Sequence, residues 1–133
     1  MAAHKMTIEK IYEKGKRPRW RVTDPGVVPR GNMLQWTLMP DPRDKANPVE
    51  AHFQFGHYDL VQNAPKSRSL TRDLTAMINK PRGTLKLKLK DEACRRKNPR
   101  RYAVWVKDDT LPHGGTFAVG EDMNPPPEID VGG

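Results

Sequence analysis

The chain has 133 residues, 24 Lys and Arg against 16 Asp and Glu, a net charge of +8 and a pI near 9.8. That length fits one domain with its own hydrophobic core, and no apolar run approaches the roughly eighteen residues a membrane-spanning helix needs. The opening MAAHKMTIEK has no apolar h-region and Cys94 is the only cysteine, so neither a secretory signal nor an internal disulfide is expected, and the chain reads as cytoplasmic.

Thirteen prolines and ten glycines interrupt the chain often, which favours short strands over long helices. Residues 6–13 fit a strand in which Met6, Ile8 and Tyr12 share a face interrupted by Lys10, or a helix through Ile8, Ile11 and Tyr12; Gly15 and the basic run after it favour the strand. A basic turn follows, then Arg19–Thr23, with Trp20 and Val22 on one side and Arg19, Arg21 and Thr23 on the other. Asp24-Pro25-Gly26 is a turn signal, and Val27 to Asn32 reads as a connection. Leu34, Trp36 and Leu38 alternate with Gln35 and Thr37 over Met33–Met39. Ala51–Tyr58 places Phe53 and Phe55 inward and His52, Gln54 and Tyr58 outward, with Gly56 marking a bulge.

From Ser69 the period changes. Leu70, Leu74, Met77 and Ile78 follow i, i+4, i+7, i+8 spacing, with Ser67 or Ser69 as N-cap and Pro81 as the stop, which predicts a short helix. Thr84 to Lys107 then reads as two strands joined by a loop, a basic hairpin. Leu85, Leu87 and Leu89 alternate with Lys86, Lys88 and Lys90; Tyr102, Val104 and Val106 alternate with Ala103, Trp105 and Lys107. A short strand over Thr116–Val119 pairs Phe117 with Val119 by period. A proline run leads to a last, edge strand through Ile129 and Val131. Six to eight short strands and one short helix predict a mainly β fold, an antiparallel β-sandwich or small barrel. Residues 1–120 form the β-rich domain, and 121–133 form an acidic, Pro-rich C-terminal segment.

The charge is unevenly spread. Residues 80–107 hold eleven Lys and Arg against two acids, residues 5–30 hold eight against three, and residues 108–133 hold six acids and no base. The basic residues Lys86, Lys88, Lys90, Arg95, Arg96, Lys97, Arg100 and Arg101 form an array suited to phosphate. Counterion release gives such an array affinity, and arginine adds forked hydrogen bonds. Trp105, on the Lys107 side of its strand, is the candidate on which an unpaired base would stack. The acidic end could fold over the hairpin and compete with phosphate for it.

No catalytic or phosphate-loop motif is present. His52 and His57, five apart, face opposite sides of a regular strand, so no metal site is expected. His57 and Asp59 share a face and read as exposed polar residues, and Cys94 reads as an incidental loop thiol with no base beside it. The sequence therefore points to a non-enzymatic module, without cofactor, that engages RNA or single-stranded DNA. The alternative is an immunoglobulin-like interaction subunit whose basic face meets an acidic protein.

Overall fold

In the computed structural model, residues 3–29, 31–54, 77–78, 83–88, 100–121 and 127–132 are described. Alternation of apolar and polar side chains organises nearly all of them. β1 (Ala3–Ile11), β2 (Arg19–Val22), β4 (Met33–Leu38) and β7 (Thr84–Lys88) form sheet 1 in the order β2-β1-β4-β7, with β3 (Val27–Pro29) branching off between β2 and β4. Sheet 2 has the order β10-β9-β5-β6, built from β5 (Val49–Gln54), β6 (Met77–Ile78), β9 (Ala103–Asp108) and β10 (Gly115–Phe117). β11 (Glu128–Gly132) lies between β3 and β8 (Arg100–Arg101) in a third, three-stranded sheet. The pairings are antiparallel except for β1 with β4 and β3 with β11.

Sheets 1 and 2 face each other across one core. Met6, Ile8, Trp20, Val22, Leu34, Trp36 and Leu38 enter it from sheet 1, and Val49, Ala51, Phe53, Val104 and Val106 from sheet 2, all buried. Burying a side chain of this size contributes about 1.5–3 kcal/mol. At the centre, the Trp36 ring meets Phe53 edge-on at 5.2 Å and Tyr102 edge-on at 5.7 Å. Trp36 Nε1 donates to the Tyr102 hydroxyl at 2.9 Å, so the indole's one polar atom has a partner in the core.

The sandwich is stitched along one side. Val119 bridges Arg21 in parallel; Val22 N donates to Val119 O and Val119 N to Trp20 O, both at 2.9 Å. This joins β2 of sheet 1 to the segment after β10 of sheet 2, which makes that side barrel-like. The mainly β sandwich expected from the alternation is therefore the observed fold, and the inward and outward assignments over β2, β4, β5, β7 and β9 hold wherever a side chain is described.

Four expectations are corrected. β7 and β9 do not form a hairpin, because they lie in different sheets. Leu85 and Leu87 take register with Trp36 and Leu34 of β4, while Val104 and Val106 take register with Phe53 and Ala51 of β5. Period two fixes the face of a strand and not its neighbour. The connection after Asp24-Pro25-Gly26 contains β3, which holds buried Val28. The end of the expected helix, Met77–Ile78, is strand β6 paired with His52 and Ala51, so sheet pairing overrides the helical spacing there; Leu70 and Leu74 lie outside the described residues. Phe117, 55% exposed, and half-buried Val119 keep the shared face their period implies, with buried Ala118 between them. The strand through Ile129 is present as β11, placed between two neighbours, with Ile129 in the core.

Candidate nucleic-acid interface

The outer face of sheet 1 is read from its registers. Lys5 of β1, Gln35 of β4 and Lys86 of β7 stand opposite one another in one row across three strands. Two strand spacings put the two lysines' backbones roughly 10 Å apart. Both lysines are exposed, and among the described residues neither has a carboxylate partner. The next row outward along β7 begins with Lys88, opposite Met33. In the other direction lies an uncharged row, Thr7, Thr37 and Thr84, extended by Thr23, whose hydroxyl accepts from Thr7 N at 2.8 Å. Beyond it Arg21 is already paired, to Glu9 at 2.6 Å. Uncompensated positive charge on this face thus stands at Lys5 and Lys86, and separately at exposed Arg19 at the start of β2.

The predicted phosphate-binding residues are distributed over two sheets. Lys86 and Lys88 lie on β7; Arg100 and Arg101 form β8, opposite Ile129 and Glu128. Lys90, Arg95, Arg96 and Lys97 lie outside the described residues, as do His57, Asp59 and Cys94. Trp105 does not join the Lys86 row. It is half-buried on the outer face of sheet 2, the opposite side of the sandwich, between His52 and Phe117 in register. Its ring meets Phe117 edge-on at 4.9 Å. Gly115 seats the indole: a Cβ there would overlap Val106 O and stand 3.0 Å from Trp105 Cζ2.

The strongest electrostatic feature is internal and was missed as a cluster. Lys10 points inward with Met6 and Ile8. Its Nζ is 2.7 Å from Asp108 Oδ2, 3.0 Å from Asp41 Oδ2 and 2.7 Å from Thr110 Oγ1, so each ammonium proton has an acceptor. Asp108 also accepts from Trp20 Nε1 at 3.0 Å, Asn47 Nδ2 at 3.0 Å, and Thr110 through both its N and Oγ1. Asp41 accepts from the Tyr12 hydroxyl and from Arg43 N at 2.9 Å, and the Arg43 guanidinium lies 4.1 Å from the Tyr12 ring centroid.

Burial opposes charge at all three groups, but the partners outweigh it. Desolvation lifts the Asp108 carboxyl, yet bonds from Lys10, Thr110 and Trp20 hold it well below the usual carboxylate range. The same contest, with Tyr12, Arg43 and Lys10 as donors, leaves Asp41 lowered. Desolvation pulls Lys10 down, and Asp108 and Asp41 carry it above the ordinary lysine value. Two carboxylates around one ammonium leave an excess negative charge, which the neutral donors Trp20, Asn47, Thr110 and Tyr12 stabilise. With its hydrogen-bonding groups engaged, the cluster clamps sheet 1 to sheet 2. The one sequence signal was Lys10 itself, a cation in the apolar period of a strand.

Asp108 therefore does not belong to a solvated acidic end. Among the described residues no group of three His, Cys, Asp or Glu side chains is arranged to hold a metal ion, and no helix is long and apolar enough to cross a membrane. Compared with known proteins, the chain matches no family model and no curated sequence.

Proposed function

We propose that the protein is a non-enzymatic module that binds single-stranded nucleic acid, RNA or DNA, by its phosphates. One observation carries this: exposed Lys5 and Lys86 flank Gln35 in a single row on the outer face of sheet 1, with Lys88 in the adjoining row. Ammonium groups on a flat strand face attract successive phosphates by Coulomb interaction and counterion release, with Gln35 as an added donor. The chain beyond β7 adds Lys90, Arg95, Arg96 and Lys97, and then Arg100 and Arg101. Nothing on this face resembles a base-reading helix, so recognition is independent of sequence.

Fluorescence anisotropy with labelled single-stranded RNA and DNA across a salt series tests the proposal. Wild type is compared with Lys5→Gln/Lys86→Gln and with a variant in which Arg95, Arg96, Lys97, Arg100 and Arg101 are all changed to Gln. The slope of log affinity against log salt should become shallower by about 0.7 for each phosphate that is no longer neutralised. Absence of binding by wild type at low salt would sink the proposal.

A further inference from the structure

A second cationic site lies away from the sheet 1 row, where β2 and β10 diverge. Arg21 and Val119 are the stitched pair. Two residues back on both parallel segments stand Arg19 and Phe117, to which the isolated bridge does not extend as a ladder. The fork opens into a cleft of about 610 Å³ lined by Lys16, Arg17 and Arg19 on one wall and by His113, Gly115 and Thr116 on the other. No acid lines it. The three cationic side chains are exposed; Lys16 has an exposed partner in Glu13 at 3.3 Å, and no carboxylate pairs with Arg17 or Arg19 among the described residues.

Three further observations point to a ligand. Val119 N donates across to Trp20 O. Strand alternation turns the amide of Phe117, two residues earlier, to the same side, toward the fork. His113 has φ +62° and ψ +13°, the one positive-φ residue other than glycine among those described. Non-glycine residues held in left-handed geometry cluster at functional sites. Phe117, 55% exposed and edge-on to Trp105, forms an aromatic shelf on the outer side of β10, next in the chain to Gly115 and Thr116 of the cleft.

We infer that this fork binds a nucleotide unit, its phosphate held by Arg17, Arg19 and His113 and its base resting on Phe117 against Trp105. The shared chemistry is a phosphate ester carrying an aromatic base, supplied by a free nucleotide or by a single strand. This site does not depend on the sheet 1 row.

The test titrates the full chain with adenosine 5′-monophosphate, ribose 5-phosphate and a short single-stranded oligonucleotide, following heat and tryptophan emission. Trp20 and Trp36 are fully buried, so a base on the shelf quenches Trp105 alone, and Trp105→Phe abolishes the quench. The monophosphate should bind at least about fivefold more tightly than ribose 5-phosphate, the lower bound for one base stacked on an aromatic ring. Arg17→Gln/Arg19→Gln, both at exposed positions, should weaken every ligand without lowering Tm. His113→Gly should weaken binding and raise Tm, since glycine takes that backbone freely. Read by the Trp105 quench, which reports the shelf alone, an oligonucleotide much tighter than the monophosphate identifies a strand as the ligand of the fork; equal affinity identifies a free nucleotide. Equal binding of the monophosphate and ribose 5-phosphate, or unchanged binding by the double arginine variant, overturns the inference. Lys5→Gln/Lys86→Gln should leave the mononucleotide titration unchanged, so failure of the sheet 1 proposal and failure of this one are separable.

Discussion

Lys10 Nζ stands 2.7 Å from Asp108 Oδ2, joining the end of β1 in one sheet to the end of β9 in the other, with both side chains almost wholly buried. Removing the cation alone would leave two carboxylates facing each other in the core. Lys10→Met should therefore cost about 3–5 kcal/mol, the usual penalty for breaking a buried pair from one side. Urea denaturation followed by tryptophan emission measures it; a loss under about 1 kcal/mol would show that the cluster relaxes into water.

The same cluster sets a pH window. Asp108 and Asp41 have folded pKa values below their unfolded ones, so their contribution is complete above the unfolded value of about 3.9. It is lost as pH falls through the folded values, because the unfolded chain then binds more protons. Lys10 has a raised folded pKa. Its contribution is complete below the unfolded value of about 10.4 and is lost as pH rises through the folded one. Tm should hold between these limits as far as the cluster is concerned and fall outside both. Asp108→Asn should flatten the acid limb in a calorimetric pH series.

Gly115→Ala separates packing from backbone freedom. The added Cβ runs into Val106 O and comes within 3.0 Å of the Trp105 indole, so β10 must move off β9. A loss of about 1–3 kcal/mol is expected, as for other overpacked sites. Trp105 emission should shift red as the indole leaves its seat.

Tyr102 is the core's polar hinge. Its hydroxyl accepts from Trp36 Nε1 at 2.9 Å and lies 3.7 Å from Met6 Sδ. Tyr102→Phe keeps the ring packing but takes this acceptor from the buried Trp36 N–H, and should cost about 1–3 kcal/mol. Thermal unfolding of the variant checks this, and an unchanged Tm would show that the bond contributes nothing net.

Competition by the acidic end is tested by charge variants and not by truncation. Ile129 is fully buried and β11 pairs on both sides, so deleting residues 121–133 would remove part of the core. Neutralising Asp109, Glu121 and Glu128 together should raise affinity for single-stranded nucleic acid at low salt. Anisotropy equal to wild type would eliminate self-competition.

The faces of the strands were legible in the sequence because period two writes burial directly into residue type: Trp36, Val104 and Val106 could be assigned inward from their neighbours alone. Strand order was not legible. Leu87 carries no mark of whether it will meet Leu34 or Val104, and that choice depends on registers between distant segments. The same limit split the predicted site, since Lys86 and Trp105 lie close in sequence but on opposite outer faces. Asp108 read as the first of a run of surface acids, and only the approach of Lys10 and Trp20 from the other sheet makes it a core residue.

The parallel pairing of β3 with β11 sets Val27 opposite Asp130 and Val28 opposite Val131. Neither strand can be stabilised by a local turn, and the Lys10–Asp108 clamp likewise waits on a long loop closure. Chains whose pairings are this distant fold on the millisecond-to-second scale, after an entropic search that local pairing cannot shorten. The amides of Val28 and Ile129 should accordingly exchange with solvent only through global opening, at rates that follow the stability of the whole domain.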